Sequence, residues 1–502
     1  MPLTNSLYQA AFPNADAPYQ LLPFRFIEFS TNDVCAVTDL GEFIFLTKRE
    51  LLDFTNRAIP KETELYHDLR AKQFLVDNET QSLLDVYAVK YRTKKSALGN
   101  MTQLHMIVPT LRCNHSCHYC QVSRVSEDKI KFDMSQATAE KTADLILQAP
   151  AQNLTIEIQG GEPLLNYPIV KHFTEYIAKK NVQHGKHLDF VVCTNLSILS
   201  DDMFPFFKQF NYSISTSLDG PKDLHNQNRA TRKNDSYEMF VTNLARVRNE
   251  LGIDKVSALM TTSKHSLKSV RSIIDEYVAM DFRSIFLRSL NPYGFASKLV
   301  RQGTYSMDDF LSFYFEGLDY IIALNKTGIN LSESFAKLIL TKILTPFSTN
   351  FVDLDSPTGA GFGAMLYNYD GDVYPADEAR MLSEVGDKVF KVGNVHDLRS
   401  FKDIFKSQVM KNIYAAGCAE TLPGCSDCAF QPYCGADPVN NYTTQGNIFG
   451  QRPTSDRCHK QLEITKYLLN KIRTKDPDVL RVFMSWVTEG NVKEALNWGA
   501  KE

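Results

Sequence analysis

The first twenty residues hold neither a basic segment nor an apolar core, and nowhere later do eighteen apolar residues run on uninterrupted. The sequence therefore predicts no secretory signal, no membrane span and no membrane partner, and the expected location is the cytoplasm. Charge of one sign is lacking too. With 55 Lys+Arg against 58 Asp+Glu and a net charge of -3, nothing suggests attraction to nucleic acid, and none is expected as a partner. Disulfides are not expected in a reducing compartment, so the ten cysteines read as metal ligands or free thiols. Three of them, Cys35, Cys193 and Cys418, have no evident partner and default to inert buried thiols.

The other seven cysteines form two groups, and the first organises the chain. Cys113, Cys117 and Cys120 stand with three and then two residues between them, just after an apolar run at Leu104–Val108 that reads as a buried strand. Three thiolates suit a 4Fe-4S cluster whose last iron is left open, since cluster irons normally take four cysteine ligands. S-adenosylmethionine can complete that iron through its amino and carboxylate groups. An electron passed through the cluster then splits the sulfonium and yields a carbon radical able to take hydrogen from an unactivated C–H bond. The plain alternatives are a zinc site or scattered core cysteines. The tight spacing and the aromatic Tyr119 before the last cysteine favour the radical reading.

Residues 1–98 read as a separate module. Val34–Val37 and Phe43–Leu46 are short strands around an Asp39-Leu40-Gly41 turn, Thr47 and Glu50 make a capping box, and a second helix starts near Thr63. This is the outline of a winged-helix-like α+β module. Its 11 Lys+Arg against 13 Asp+Glu over residues 1–100 do not fit a DNA binder. A peptide added as a strand to an exposed hairpin edge suits it better.

Residues 99–345 alternate strand and helix, with strands expected at Leu104–Val108, Leu154–Ile158, Leu188–Cys193, Tyr212–Ser217, Val256–Met260 and Ile285–Leu290. Six such units make an α/β fold, a parallel sheet curled into a partial (β/α)6 barrel. Chemistry gathers at the carboxyl ends of barrel strands. There lie the three cysteines, then Gly160-Gly161-Glu162-Pro163, Thr194-Asn195 and Ser217-Leu218-Asp219-Gly220. Gly160 and Gly161 allow close backbone approach to a ligand, and Glu162 can accept from the ammonium of S-adenosylmethionine. Asn195 and Ser217 can hold ribose hydroxyls, and Arg229 the methionyl carboxylate. Each taken singly is more often a turn, cap or surface residue, and their shared placement is what singles them out.

Residues 346–470 bring a hairpin around Asp370-Gly371 and the second cysteine group, Cys425, Cys428, Cys434 and Cys458. Four thiolates close a site, which suits structural zinc or a fully ligated 4Fe-4S cluster. Spacing alone favours zinc, whereas a neighbouring radical cluster favours an auxiliary 4Fe-4S cluster. Residues 471–502 read as a helical tail.

Together these features resemble the radical S-adenosylmethionine enzymes with a SPASM domain, which modify ribosomally made peptides and proteins. That resemblance implies a barrel of the radical SAM type and a low-potential electron donor such as flavodoxin or ferredoxin. SPASM domains commonly carry two auxiliary clusters. The positions for the first are Thr358, Ala376 and Pro438 here, so one auxiliary cluster is expected rather than two. Phrases such as Leu22-Pro23-Phe24-Arg25-Phe26, His118-Tyr119-Cys120-Gln121-Val122-Ser123-Arg124 and Pro432-Tyr433-Cys434-Gly435-Ala436-Asp437-Pro438 resemble the B-type maturase of the His-Xaa-Ser peptide system. This implies a small precursor peptide as substrate and a second radical maturase as companion. Sulfatase-maturing enzymes share the architecture, and formylglycine formation is the rival. Their proposed base corresponds to Asp377, which is as readily a solvated turn residue. A non-catalytic iron–sulfur or zinc scaffold is the rival of another class. It predicts four protein ligands at the first cluster, where the sequence offers three.

Overall fold

The computed structural model describes residues 17–80, 82–297 and 304–497. Residues 1–16 of the expected amino-terminal module and 498–502 of the expected tail lie outside the described residues. In the module, β1 (Gln20–Leu21) pairs antiparallel with β5 (Leu75–Val76). Between them β2 (Phe24–Glu28), β3 (Asp33–Thr38) and β4 (Phe43–Thr47) form an antiparallel meander. The capping box forms as expected: Glu50 N donates to Thr47 Oγ1 at 3.1 Å, and Thr47 N donates to the Glu50 carboxylate at 2.7 Å, starting the helix Lys48–Thr55. The meander's alternation splits its burial. Val34, Ala36 and Leu46 pack with Phe54, Tyr66 and Phe74 in the module's own core, while Cys35 and Val37 join the main core near Phe430 and Tyr433. Because β2 takes one side of the expected hairpin, the outer edges belong to β2 and β4, and Phe26 of β2 stays exposed.

The main sheet begins with β6 (Leu104–Thr110), β7 (Asn153–Gly160), β8 (His187–Cys193), β9 (Ser213–Ser217) and β10 (Val256–Thr261), all parallel and within two residues of the expected spans. Helices such as Gln136–Ile146, Tyr167–Asn181 and Ser236–Leu251 return over its outer surface. The sixth strand differs from expectation. It is broken into β11 (Ser284–Ile285) and β12 (Leu287–Arg288), and only β12 pairs with β10, whereas β11 pairs with β13 (Ser332–Glu333). The cause is a side chain: the buried Glu333 carboxylate accepts from Leu287 N at 3.1 Å and also from Ala336 N at 2.6 Å, capping the helix Ser334–Leu344.

On the other side of β6 the sheet runs on into the later part of the chain. There β14 (Ala364–Tyr367) pairs parallel with β6, followed antiparallel by β15 (Asp372–Tyr374) and β16 (Gly393–Asn394). The β14–β15 turn closes with Asn368 N to Asp372 O at 2.9 Å, and Gly371 sits at φ +84, where an L side chain would be strained. The helices Asp456–Arg473 and Pro477–Val487 lie against the barrel's outer helices. Tyr467 stacks on Phe315 at 4.3 Å, and Trp486 Nε1 donates to Asn325 at 3.0 Å. Among the described residues no helix is long and apolar enough to cross a membrane.

Candidate active site

Period-two alternation builds the site. On β7, Leu154, Ile156 and Ile158 are buried toward the outer helices, which turns Glu157 and Gln159 into the barrel. On β8, Val192 is buried outward and Cys193 turns inward to line the cavity, its thiol raised by burial. The barrel interior is a cavity of about 550 Å³ at the carboxyl ends of the strands, closed on one side by Ala376, Asp377 and Glu378 from the later part of the chain.

The cysteine loop is pinned by backbone on several sides. Cys113 N donates to Val125 O at 3.0 Å, Ser116 N to Ala230 O at 2.7 Å and Cys120 N to Cys117 O at 3.2 Å. All three thiols line the cavity. Burial pushes the Cys117 thiol up to about 11; burial also raises Cys113, and the neighbouring Cys117 and Glu162 raise it further. The two glycines do more than the sequence suggests. A Cβ on Gly160 would meet Thr110 O at 2.3 Å and one on Gly161 would meet Arg112 O at 2.3 Å, so both are needed for the end of β7 to lie against the backbone entering the cysteine loop. Gly161 N and Glu162 N donate to Thr110 O and Arg112 O at 3.0 and 2.7 Å.

Glu162 is fully buried. One carboxylate oxygen accepts from Thr194 Oγ1 at 2.8 Å and Leu164 N at 3.1 Å, the other from Asn195 N at 2.8 Å. A carboxylate offers about four acceptor positions, which leaves one open. Burial pushes this carboxyl up to about 7. The Asn195 side chain donates to Asn114 at 2.9 Å, Ser217 lines the cavity, and Tyr119 and Arg229 meet at a strand-end residue assigned no role from sequence alone. That residue is Asp219, fully buried, which accepts from Tyr119 OH at 2.5 Å and stands 3.3 Å from Arg229 Nε, while the guanidinium lies 5.6 Å from the Tyr119 ring centre. Asp377 is partly exposed to the cavity and pairs with Arg380 at 3.1 Å. Behind it, burial with Asp353 and Asp377 raises the Glu378 carboxyl, and burial followed by Asp377 pushes Glu157 up to about 7.

Several buried polar atoms around this cavity have no hydrogen-bond partner within the chain: both ring nitrogens of His115, Gln159 Nε2 and Thr216 Oγ1. A buried group without a partner costs about 1–3 kcal/mol. Their presence around one cavity fits a polar ligand seated in it. The fit extends to the cluster, for which three thiols stand together at the rim. His115 and Asp219 could have been suspected only from their positions beside Cys113 and Ser217; Glu157 and Gln159 were legible as polar residues alternating within an apolar strand.

The second cysteine group forms off the barrel. Burial raises the thiols of Cys425, Cys428 and Cys458, the first two to about 11, and each is raised further by neighbouring thiols that include Cys434. The four therefore share one neighbourhood, with the Cys434 thiol donating to Gln461. Among the described residues no three His, Cys, Asp or Glu side chains are drawn together as a site for one metal ion. Of the positions without cysteine, Thr358 is buried against Gly417, Ala376 lines the cavity and Pro438 opens the helix Pro438–Gln445. Cys35 is a fully buried thiol, as expected, and Cys418 lies partly exposed with its thiol on Tyr414 O.

A parallel barrel with a three-cysteine loop at the mouth is the arrangement of a radical S-adenosylmethionine domain, and residues 107–276 match the family model of the Radical SAM superfamily. Domains of that superfamily bind S-adenosylmethionine and a 4Fe-4S cluster. The chain is 25% identical over 358 residues, 66% of its length and 87% of the relative's, to the cysteine-type anaerobic sulfatase-maturating enzyme of Clostridium novyi. Two solved structures share the fold. Native anSMEcpe with bound AdoMet matches with a TM-score of 0.61 at 17% identity, covering 76% of this chain and 99% of that one. Streptococcus suis SuiB bound to precursor peptide SuiA matches with a TM-score of 0.52 at 13% identity, covering 88% and 99%.

Proposed function

We infer that this enzyme is a peptide maturase, acting on a small ribosomally made precursor of the His-Xaa-Ser type and leaving a crosslink or an oxidised side chain. The observation that carries the reading is the single cavity onto which the three cysteine thiols, the Gly160-Gly161 pair, the Tyr119–Arg229 contact and Asp377 all open. Its volume of about 550 Å³ holds more than a cofactor, leaving room for a residue of a bound chain. When bound, the cluster and S-adenosylmethionine supply a 5′-deoxyadenosyl radical that takes hydrogen from a C–H bond.

The chain's own residues do the rest. Cys113, Cys117 and Cys120 would hold the cluster. Glu162, with one acceptor position open, takes the methionyl ammonium. The buried Asp219 fixes Tyr119 and Arg229, so that Arg229 presents its remaining N–H groups to the methionyl carboxylate. Asn195 and Ser217 serve the ribose. Asp377 takes the proton released as the substrate radical is oxidised, and Arg380 holds it in place. Cys425, Cys428, Cys434 and Cys458 would hold one auxiliary 4Fe-4S cluster, which would supply an acceptor for the electron. A flavodoxin or ferredoxin supplies the reducing electron, and residues 1–98 capture the peptide.

The sulfatase-maturing relatives support formylglycine formation as a second reading. One experiment separates the two. Reconstituted enzyme is incubated without oxygen with S-adenosylmethionine, a strong reductant and either a His-Xaa-Ser peptide or a sulfatase-derived peptide, and the products are read by mass spectrometry. Loss of two hydrogens from the His-Xaa-Ser peptide with matching deoxyadenosine supports the first reading. Conversion only of the sulfatase peptide replaces it with the second, and deoxyadenosine with neither peptide changed rejects both.

A further inference from the structure

A second cavity of about 560 Å³, as large as the active one, opens at the opposite end of the barrel. Leu104, the first residue of β6, borders both. Its walls come from three parts of the chain: the amino-terminal module, the leading ends of β6 and β7, and residues 342–434 of the later chain, which bring Cys434 of the second cysteine group to one wall. None of the residues assigned to S-adenosylmethionine or to the substrate proton lies on it.

Its charges do not balance. Arg25 is neutralised by Asp39 at 2.6 Å and Lys95 by Glu420 at 2.5 Å. Lys94 and Lys342 remain. Lys94 Nζ donates to Leu40 O at 2.6 Å, and Lys342 Nζ, almost wholly buried, donates to Leu354 O. Neither has a carboxylate within 4 Å among the described residues. A backbone carbonyl satisfies one of an ammonium's three donors and none of its charge. The one further carboxylate on the wall, Asp355, accepts from Ser348 at 3.2 Å, so two lysines face one carboxylate and the Cys434 thiol. Burial first, then Lys342 and Lys95, press the Lys94 ammonium down to about 7 against the opposing pull of Glu42. Around these lysines the wall turns apolar, with Tyr91 and the exposed Phe347 at its margin.

We propose that this cavity binds an organic anion, its carboxylate or phosphate gripped by Lys94 and Lys342 and its apolar body laid against Tyr91 and Phe347. Such a group can arrive on a small metabolite or as an acidic side chain of a peptide. The cavity's size suits either, lying within the range of about 300–1,000 Å³ typical of ligand pockets.

The test uses the full-length enzyme with its clusters reconstituted. Lysines are acylated at neutral pH, and the labelled positions are mapped by mass spectrometry with no addition, with inorganic phosphate, with succinate, or with a tetraglutamate peptide. Acylation of Lys94 is expected to slow about tenfold under at least one probe while the exposed Lys402 is labelled unchanged. Protection by phosphate or succinate assigns a small-molecule anion, and protection by tetraglutamate alone assigns an acidic side chain. In direct binding measurements Lys94→Met weakens the protecting probe about tenfold and Lys402→Met leaves it unchanged. Equal labelling of Lys94 under every condition, or equal protection of Lys94 and Lys402, overturns the proposal. That labelling readout on the wild-type enzyme stands even if Lys94→Met does not fold.

Discussion

The replacement Glu162→Gln tests the cofactor wall most directly. In the wild type the carboxylate accepts three hydrogen bonds from Leu164, Thr194 and Asn195, and one acceptor position stays open for an ammonium. A hydrogen bond from a charged donor to a charged acceptor contributes about 1.5–3 kcal/mol, so loss of the negative charge should weaken S-adenosylmethionine binding about tenfold to a hundredfold. The pH dependence is the sharper signature. Burial places the carboxyl at about 7, so below that pH the group is mostly protonated and cannot pair with a cation. Wild-type affinity should therefore rise with pH, by up to about tenfold per unit below 7, and level off above it. In Glu162→Gln that slope should vanish. The assay is anaerobic equilibrium dialysis of labelled S-adenosylmethionine across pH 6 to 8.5. A variant that binds within about twofold of wild type, or keeps the same slope, refutes the assignment of the ammonium to Glu162.

Asp219→Asn strands the buried Arg229 cation and should cost about 3–5 kcal/mol of stability, read by denaturant unfolding of the apo-protein. His115→Leu removes an imidazole with no partner on either nitrogen; it should stabilise the apo-protein by about 1–3 kcal/mol while weakening S-adenosylmethionine binding, and a parallel change in both would contradict a ligand-facing His115. With Asp377→Asn, deoxyadenosine should still form while peptide product falls by about two to four orders of magnitude, and undiminished product in single-turnover mass spectrometry removes Asp377 from the chemistry. Cys458→Ser should lower iron from about eight to about four atoms per chain, and an unchanged iron content would separate Cys458 from the auxiliary cluster.

The parts of the fold that follow a local period were legible. Five barrel strands, the Thr47–Glu50 capping box and the turn at Gly371 each rest on residues a few positions apart. The same is true of the three-cysteine loop and of the glycine pair after β7. What escaped depends on distant partners. Glu333, 46 residues beyond Leu287, supplies a carboxylate where a sixth strand would have had a neighbour, and no alternation near residue 286 announces it. Asp219 reads locally as part of a turn, and only the folded chain brings Tyr119, a hundred residues earlier, to its carboxylate. Cys193 looked like a stray thiol until the pleat of β8 decided which way it faced. The pairing of β2 along β3 was unread for the same kind of reason, and it leaves the hairpin's open edge at β4.

The pairing of β14 with β6 makes the strand that launches the cysteine loop an inner strand held from both sides. Segments separated by more than 250 residues are thus zipped into one sheet, and the loop carrying Cys113 hangs from the seam. Damage at one end will travel. If oxygen strips the iron from the Cys425–Cys458 region and that part of the chain loosens, β6 loses a flank of main-chain hydrogen bonds, and the catalytic loop loosens with it. Oxygen sensitivity should then be a single cooperative event in which both iron sites fail together, and limited proteolysis of air-exposed enzyme should release fragments from both regions at once.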